Sequence, residues 1–155
     1  MGILTDAFIA SDAEVACGDF SRSVPAELQP VIEAKGIDTV PLGLLKAIVS
    51  EQGLGDTQVG LQAFVIGLEH DFPCVRDMGE HWVYRFPNSL VKRLGQLAPT
   101  EINAVAAQWA RSEEMGGPNA TREYVADLSE YLGRLSWLCD RAVQDGKNVY
   151  MWMSL

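Results

Sequence analysis

The stretch Lys147-Asn148-Val149-Tyr150-Met151-Trp152-Met153-Ser154-Leu155 is apolar at odd and even positions alike. A strand with one wet face alternates polar and apolar residues, whereas a strand covered on both faces does not. The stretch therefore predicts an interior strand that runs to the last residue. Val149, Met151, Met153 and Leu155 would face one layer, and Tyr150 and Trp152 the other. An apolar end of this kind is not left dangling in water.

Working back from it, Tyr124, Leu128, Leu132, Leu135, Cys139 and Ala142 recur at helical spacing. Asn119 is placed to cap this helix, and Gly146 falls just past its end. At 1.5 Å per residue the helix spans ~35 Å. Tyr131, Trp137 and Leu138 widen its apolar arc, so it should pack on more than one element. A second stripe, Ile102, Val105, Ala106 and Trp109, predicts another helix, ended by Met115-Gly116-Gly117-Pro118. Leu90, Val91, Leu94 and Leu97 predict a third, after Pro87-Asn88.

His81-Trp82-Val83-Tyr84-Arg85-Phe86 alternates, with Trp82, Tyr84 and Phe86 on one side and His81, Val83 and Arg85 on the other. It reads as a half-buried strand, joined through the turn Asp77-Met78-Gly79-Glu80 to a partner at 72–76. Toward the start, residues 3–10 read as a first strand. Ser11-Asp12-Ala13-Glu14 is a capping box that opens a short helix ended by Gly18. Residues 21–30, with two prolines, read as loop, and 31–37 as a second strand. Leu42, Leu45, Ile48 and Val49 predict a helix with Pro41 at its first position, broken by Gly53-Leu54-Gly55-Asp56. Residues 59–68 lean helical. All four Trp and all four Tyr lie beyond residue 81, so the second half should supply most of the core.

The expected fold is one α+β domain over residues 1–155: a mixed or mostly antiparallel sheet of about five strands, helices packed on it, and the last strand internal. At 155 residues and 48% hydrophobic, the chain is long enough for one core. It holds no run of ~18 apolar residues. No secretory leader is visible. Met1-Gly2 is not followed by Ser or Thr at position 6, where Asp6 stands, so a myristoylation signal is rejected. Cys17, Cys74 and Cys139 are odd in number and widely spaced, which argues against a disulfide framework and for a reducing cytoplasm.

The net charge is −9. Residues 1–70 hold ten acids against three bases, while residues 71–155 hold eleven against nine. Phosphate backbones and acidic lipid surfaces both need clustered Lys and Arg, so neither nucleic acid nor membrane is an expected partner. An acidic surface suits a basic protein partner, and acidity of this kind also serves solubility alone. Oligomeric state is not legible.

The phosphate-loop patterns fail. Gly53-Leu54-Gly55 lacks its third glycine, and Leu61 stands where the pair Gly55 and Gly60 would need a lysine. No Gly-x-Ser-x-Gly elbow is present. Cys74 with His70 or His81 could form a Cys/His pair, and His70, Asp71, Cys74, Glu80 and His81 could form a metal site, although zinc motifs space their donors in tighter pairs. Cys74 and His81 share a face of the expected hairpin with Arg76 and Arg85, whose charges repel a cation. No metal and no cofactor is expected. Catalytic residues are not assigned. Glu113 continues the stripe that ends in Trp109, and Glu113 and Glu114 sit at a helix C-terminus, where the dipole disfavours negative charge. A cationic partner would account for them, as would a solvated helix end or an ion pair with Arg111, Arg122 or another arginine. Trp109, Glu113, Glu114, His81 and Arg85 are the candidate binding residues.

Several segments together resemble a group of small bacterial cytoplasmic proteins of unknown function. They are Met1-Gly2-Ile3-Leu4-Thr5-Asp6, Lys35-Gly36-Ile37-Asp38, Trp82-Val83-Tyr84-Arg85-Phe86-Pro87, Trp109 with Ser112-Glu113-Glu114, and a helix running into Asp145-Gly146 and an aromatic strand. The long helix, glycine and final apolar strand are similar to the end of the YfbM-like proteins. Neither resemblance implies a catalytic residue or a ligand. Some small acidic α+β proteins act as immunity proteins for secreted toxins, an analogy of class. The leading expectation is a non-enzymatic protein-interaction module with an acidic surface, of the inhibitor or immunity kind. The alternative is a small enzyme or ligand-binding protein with a pocket near Trp109, Glu113 and Glu114.

Overall fold

The computed structural model describes residues 2–50 and 72–155. The helix expected at 59–68, the glycines around Gly53 and the donors His70 and Asp71 lie outside the described residues.

Five strands form one antiparallel sheet: β1 (Leu4–Ala10), β2 (Ile32–Lys35), β3 (Cys74–Asp77), β4 (His81–Arg85) and β5 (Asn148–Ser154), in the order β2-β1-β5-β4-β3. The apolar C-terminal strand is the middle one, as its two-sided composition requires. It pairs with β1, Phe8 opposite Tyr150, and with β4, Val83 opposite Trp152. Its register puts Val149 and Met151 into one core and Tyr150 and Trp152 into the other. The strand stops at Ser154, however, and Leu155 is 71% exposed.

The described helices are α1 (Asp12–Cys17), α2 (Thr39–Val49), α3 (Asn88–Gly95), α4 (Pro99–Ala110) and α5 (Arg122–Gln144). The first core lies between the sheet and α2 to α5. Ala7, Ile32, Val149 and Met151 meet Leu42, Leu45, Leu90, Leu94, Trp109, Leu132 and Leu135 there. The second core, on the opposite face, draws mostly on the first 28 residues. Phe20 and Tyr150 both stack on Phe8, with ring centroids 5.4 and 5.8 Å apart, and Val15, Val24 and Leu28 close over them. The Trp152 indole N–H donates to the Phe20 carbonyl at 2.8 Å, so this buried aromatic leaves no polar atom unsatisfied.

Local chemistry sets the helix ends. The Ser11 hydroxyl accepts from the Glu14 N–H at 3.1 Å and the Glu14 carboxylate from the Ser11 N–H at 3.0 Å, the expected capping box. In α2 the cap is Asp38, whose carboxylate accepts from the Val40 N–H at 2.8 Å. Pro41 therefore falls at the third helical position instead of the first, still within the turn whose N–H groups lack helical acceptors. For α5 the cap is Thr121, bonded to the Tyr124 N–H, and not Asn119. Gly146 adopts φ 64° just past the end of α5, a backbone conformation that costs a side chain. Gly95 serves packing: a Cβ there would lie 2.9 Å from the Asp140 nitrogen, so α3 and α5 cross nearly backbone to backbone. The Ser136 hydroxyl, buried at that crossing, donates to the Leu94 carbonyl at 2.7 Å.

Two further expectations change. In β4 the fully buried residue is Val83, while Trp82 and Tyr84 are only partly covered, because Val83 opposes Trp152 over the second core. Trp137 is 52% exposed: α5 buries Leu135, Leu138 and Cys139 around it, but its indole faces outward.

Candidate functional site

The structure disperses the five residues singled out from sequence. Trp109 is sealed in the first core, its indole N–H donating to the Pro41 carbonyl at 2.9 Å. Helix α4 ends at Ala110, earlier than the apolar stripe suggested. The Ser112 N–H and hydroxyl both bond to the Trp109 carbonyl, at 3.0 and 2.7 Å, and the Gly116 N–H returns to the Ala110 carbonyl at 3.0 Å. These bonds roll residues 112–116 into tight turns. Glu113 thus leaves the stripe, and both Glu113 and Glu114 are exposed. Neither makes a salt bridge among the described residues.

His81 and Arg85 lie elsewhere, on the second-core face of β4. The His81 ring stacks on Trp152 at 5.2 Å. Arg85 stands 3.9 Å from Asp12, which also accepts from Asn148 at 2.9 Å and from the Tyr150 hydroxyl. The Tyr150 bond holds the Asp12 carboxyl below its ordinary range; desolvation opposes it, and Arg85 and Asn148 add smaller lowering effects. Burial and the bond to Asp12 push the Tyr150 phenol up to about 12. A phenol so held is neither a base nor a nucleophile near neutrality. At the other end of α1 the Arg76 guanidinium donates to the carbonyls of Val15, Ala16 and Gly18 at 2.8, 3.1 and 3.3 Å. These groups clasp α1 to the sheet: a carboxylate held at its N-terminus and a cation at its C-terminus, both favoured by the helix dipole.

The metal arrangement weighed from sequence needed Cys74 and His81 on one face. A bulge between Cys74 and Arg76 breaks that alternation: Cys74 pairs with Tyr84 and Arg76 with Val83. Cys74 therefore lies on the Tyr84 side of the hairpin, opposite His81. Its thiol is pushed up by burial, then by Asp77. Among the described residues no group of three or more His, Cys, Asp or Glu could hold a metal ion.

One of the five residues, Glu114, does border a groove. It has a volume of about 390 Å³ and runs between β2, at one margin of the sheet, and the N-terminal half of α5. Glu33, Glu114 and Asp127 line it, with Tyr124, Tyr131 and one base, Lys35. Lys35 runs along Gly2, where a Cβ would come within 2.9 Å of its Cε. Trp109 supports the groove from below, its ring 6.3 Å from Tyr131. Tyr131 is deep enough that burial raises its phenol well above the ordinary range, yet its hydroxyl makes no hydrogen bond to a described residue. On the other side of the sheet, Glu33 sits directly opposite Asp6 on β1. Like charges so placed repel; burial and then Glu33 push the Asp6 carboxyl up. Tyr124, Asp127 and Tyr131 follow one another at helical spacing beside the apolar stripe of α5. That flank was the readable signal for the groove, but its β2 wall comes from about 90 residues away in the chain.

No family model, no curated protein and no solved structure matches the chain.

Proposed function

We propose that this chain is a non-enzymatic protein-interaction module of the inhibitor or immunity kind, acting in a reducing cytoplasm and taking a basic protein partner on its acidic surface. The groove beside β2 carries the reading. Glu114 and Asp127 border it on the helical side, and the one lysine of its lining, Lys35, lies along Gly2. The opposed pair Asp6 and Glu33 adds negative charge at the same margin, and a bound cation would relieve their repulsion. The exposed thiols Cys17 and Cys74 suit a reducing compartment. The competing ligand-pocket reading needs Trp109 and Glu113 in one cavity; the first is sealed in the core and the second is on an outer turn.

An array of arginine- and lysine-rich peptides beside acidic and neutral ones tests the proposal. The protein should be retained by basic sequences alone, and association should slow steeply as salt rises, since exposed charges are screened within ~8 Å at physiological ionic strength. Retention by no basic sequence, or retention indifferent to salt, would remove the proposal.

A further inference from the structure

We infer that the partner binds as an extended basic segment that pairs with the outer margin of β2 as a sixth strand. The inference rests on the acidic-surface reading above and names where and how the partner is held.

The hydrogen-bonding phase of β2 supports it. The Gly36 N–H donates to the Ile3 carbonyl at 2.8 Å, and Ala34 and Ile32 pair with Thr5 and Ala7. In an antiparallel ladder every second residue bonds the same neighbour. Ile32, Ala34 and Gly36 are therefore committed to β1, and the peptide groups of Glu33 and Lys35 point outward, where no further strand lies among the described residues. Such a margin is a template for another chain.

The opposite margin of the sheet is unsuited to the same use. There β3 is interrupted by its bulge, and its Arg76 is turned back onto α1. A bulge bends and twists a strand away from pairing.

Side-chain chemistry selects the occupant. A strand beside β2 presents alternate residues to the two faces of the sheet. On the helical face they meet Glu114 and Asp127; on the other they meet Glu33 next to Asp6, with Lys35 two residues along. Carboxylates outnumber the one lysine at this margin, so arginine or lysine is favoured most on the helical face and beside Glu33 and Asp6 on the other. Tyr131, whose ring is fixed against Trp109, supplies an unengaged hydroxyl in the groove. Arginine, with five donors and a flat face, matches carboxylates and tyrosine rings together.

The probe is a short peptide of alternating arginine and valine, titrated against the whole chain, with its glutamate counterpart as control. The arginine peptide should bind and the glutamate peptide should not. Lys35→Pro removes one outward N–H and leaves the β1 ladder intact; Lys35→Ala removes the same positive charge and keeps the N–H. Lys35→Ala should bind as tightly as the natural chain or more so, and Lys35→Pro at least tenfold more weakly, with the melting of both variants recorded. As a second measure, the peptide N-methylated at alternate residues should bind the unaltered chain at least tenfold more weakly in one of the two methylation phases. Equal binding of both Lys35 variants and of both methylated peptides would overturn strand pairing, while leaving the acidic-surface reading in place. Failure of the arginine peptide on a chain that retains other basic sequences would do the same. Failure of every basic sequence would overturn both.

Discussion

β5 and β2 belong to one sheet and answer to opposite demands. β5 has a paired neighbour on each side and a core on each face; four of its seven residues are buried. Among the described residues β2 has one neighbouring strand; it buries Ile32 alone and sets Glu33 and Lys35 in solvent. The difference separates what holds the molecule together from what it can offer to others. A strand at the centre has no unpaired backbone group to present. A strand at the margin contributes little apolar burial and keeps its outward peptide groups available.

The sharpest test of the contrast is truncation. Removing residues 149–155 deletes the strand between β1 and β4 and opens both cores. Each large buried side chain lost costs about 1.5–3 kcal/mol, against a total stability of about 5–15 kcal/mol. The fragment should be unfolded or insoluble, and a cooperative melt of residues 1–148 would show that β5 is dispensable. Trp109→Ala follows in size. Trp109 is fully buried and its indole N–H is bonded, so denaturant unfolding should show a loss of about 3–5 kcal/mol. The same change withdraws support from Tyr131, so binding of basic peptides should weaken in whatever protein remains folded.

A smaller effect is expected at Tyr150→Phe. The lost hydroxyl bond goes to a carboxylate that water reaches readily, so the cost at neutral pH should be about 1 kcal/mol. Its pH dependence identifies it. The Asp12 carboxyl is held low, so its contribution is present above the ordinary carboxylate value of about 4 and is lost as pH falls through its folded value. The Tyr150 phenol is raised to about 12, so its contribution is present below the ordinary phenol value of about 10 and is lost as pH rises from there toward 12. The stability difference between natural and Tyr150→Phe chains should therefore shrink at both extremes; a difference that is flat in pH would break the Asp12–Tyr150 assignment. The least effect belongs to Glu113→Gln. On an exposed turn without a salt-bridge partner among the described residues, it should move stability by no more than about 0.5 kcal/mol. A larger loss would place Glu113 in an ion pair after all.

The same contrast accounts for what could be read from the amino-acid order. β5, the stripe of α5 and the Ser11–Glu14 capping box are each decided by residues within a few positions of one another, and all three were legible. The end of α4 was not. Ser112 competes for the Trp109 carbonyl through both N–H and hydroxyl, and no apolar period reports that competition. Nor was the β3 bulge, which moves Cys74 across the hairpin with no glycine or proline in β3 to mark it. At the candidate site, Glu114 was named from sequence but for a helix end it does not occupy. Glu33, Asp127 and Tyr131 were missed because the groove exists only once β2 lies beside α5. Among the described residues no helix is long and apolar enough to cross a membrane.

The three cysteines give the molecule a built-in clock. Cys17 and Cys74 are exposed, whereas Cys139 is fully buried between α5 and its neighbours, and burial keeps its thiol protonated far above the ordinary range. A thiol reagent applied to the native chain should count two sulfurs at once. The third should appear only as fast as the helical layer parts from the sheet, so its labelling rate reports the opening of that layer in a single unmodified sample. A ligand seated beside β2 and α5 should slow that third reaction and leave the first two unchanged.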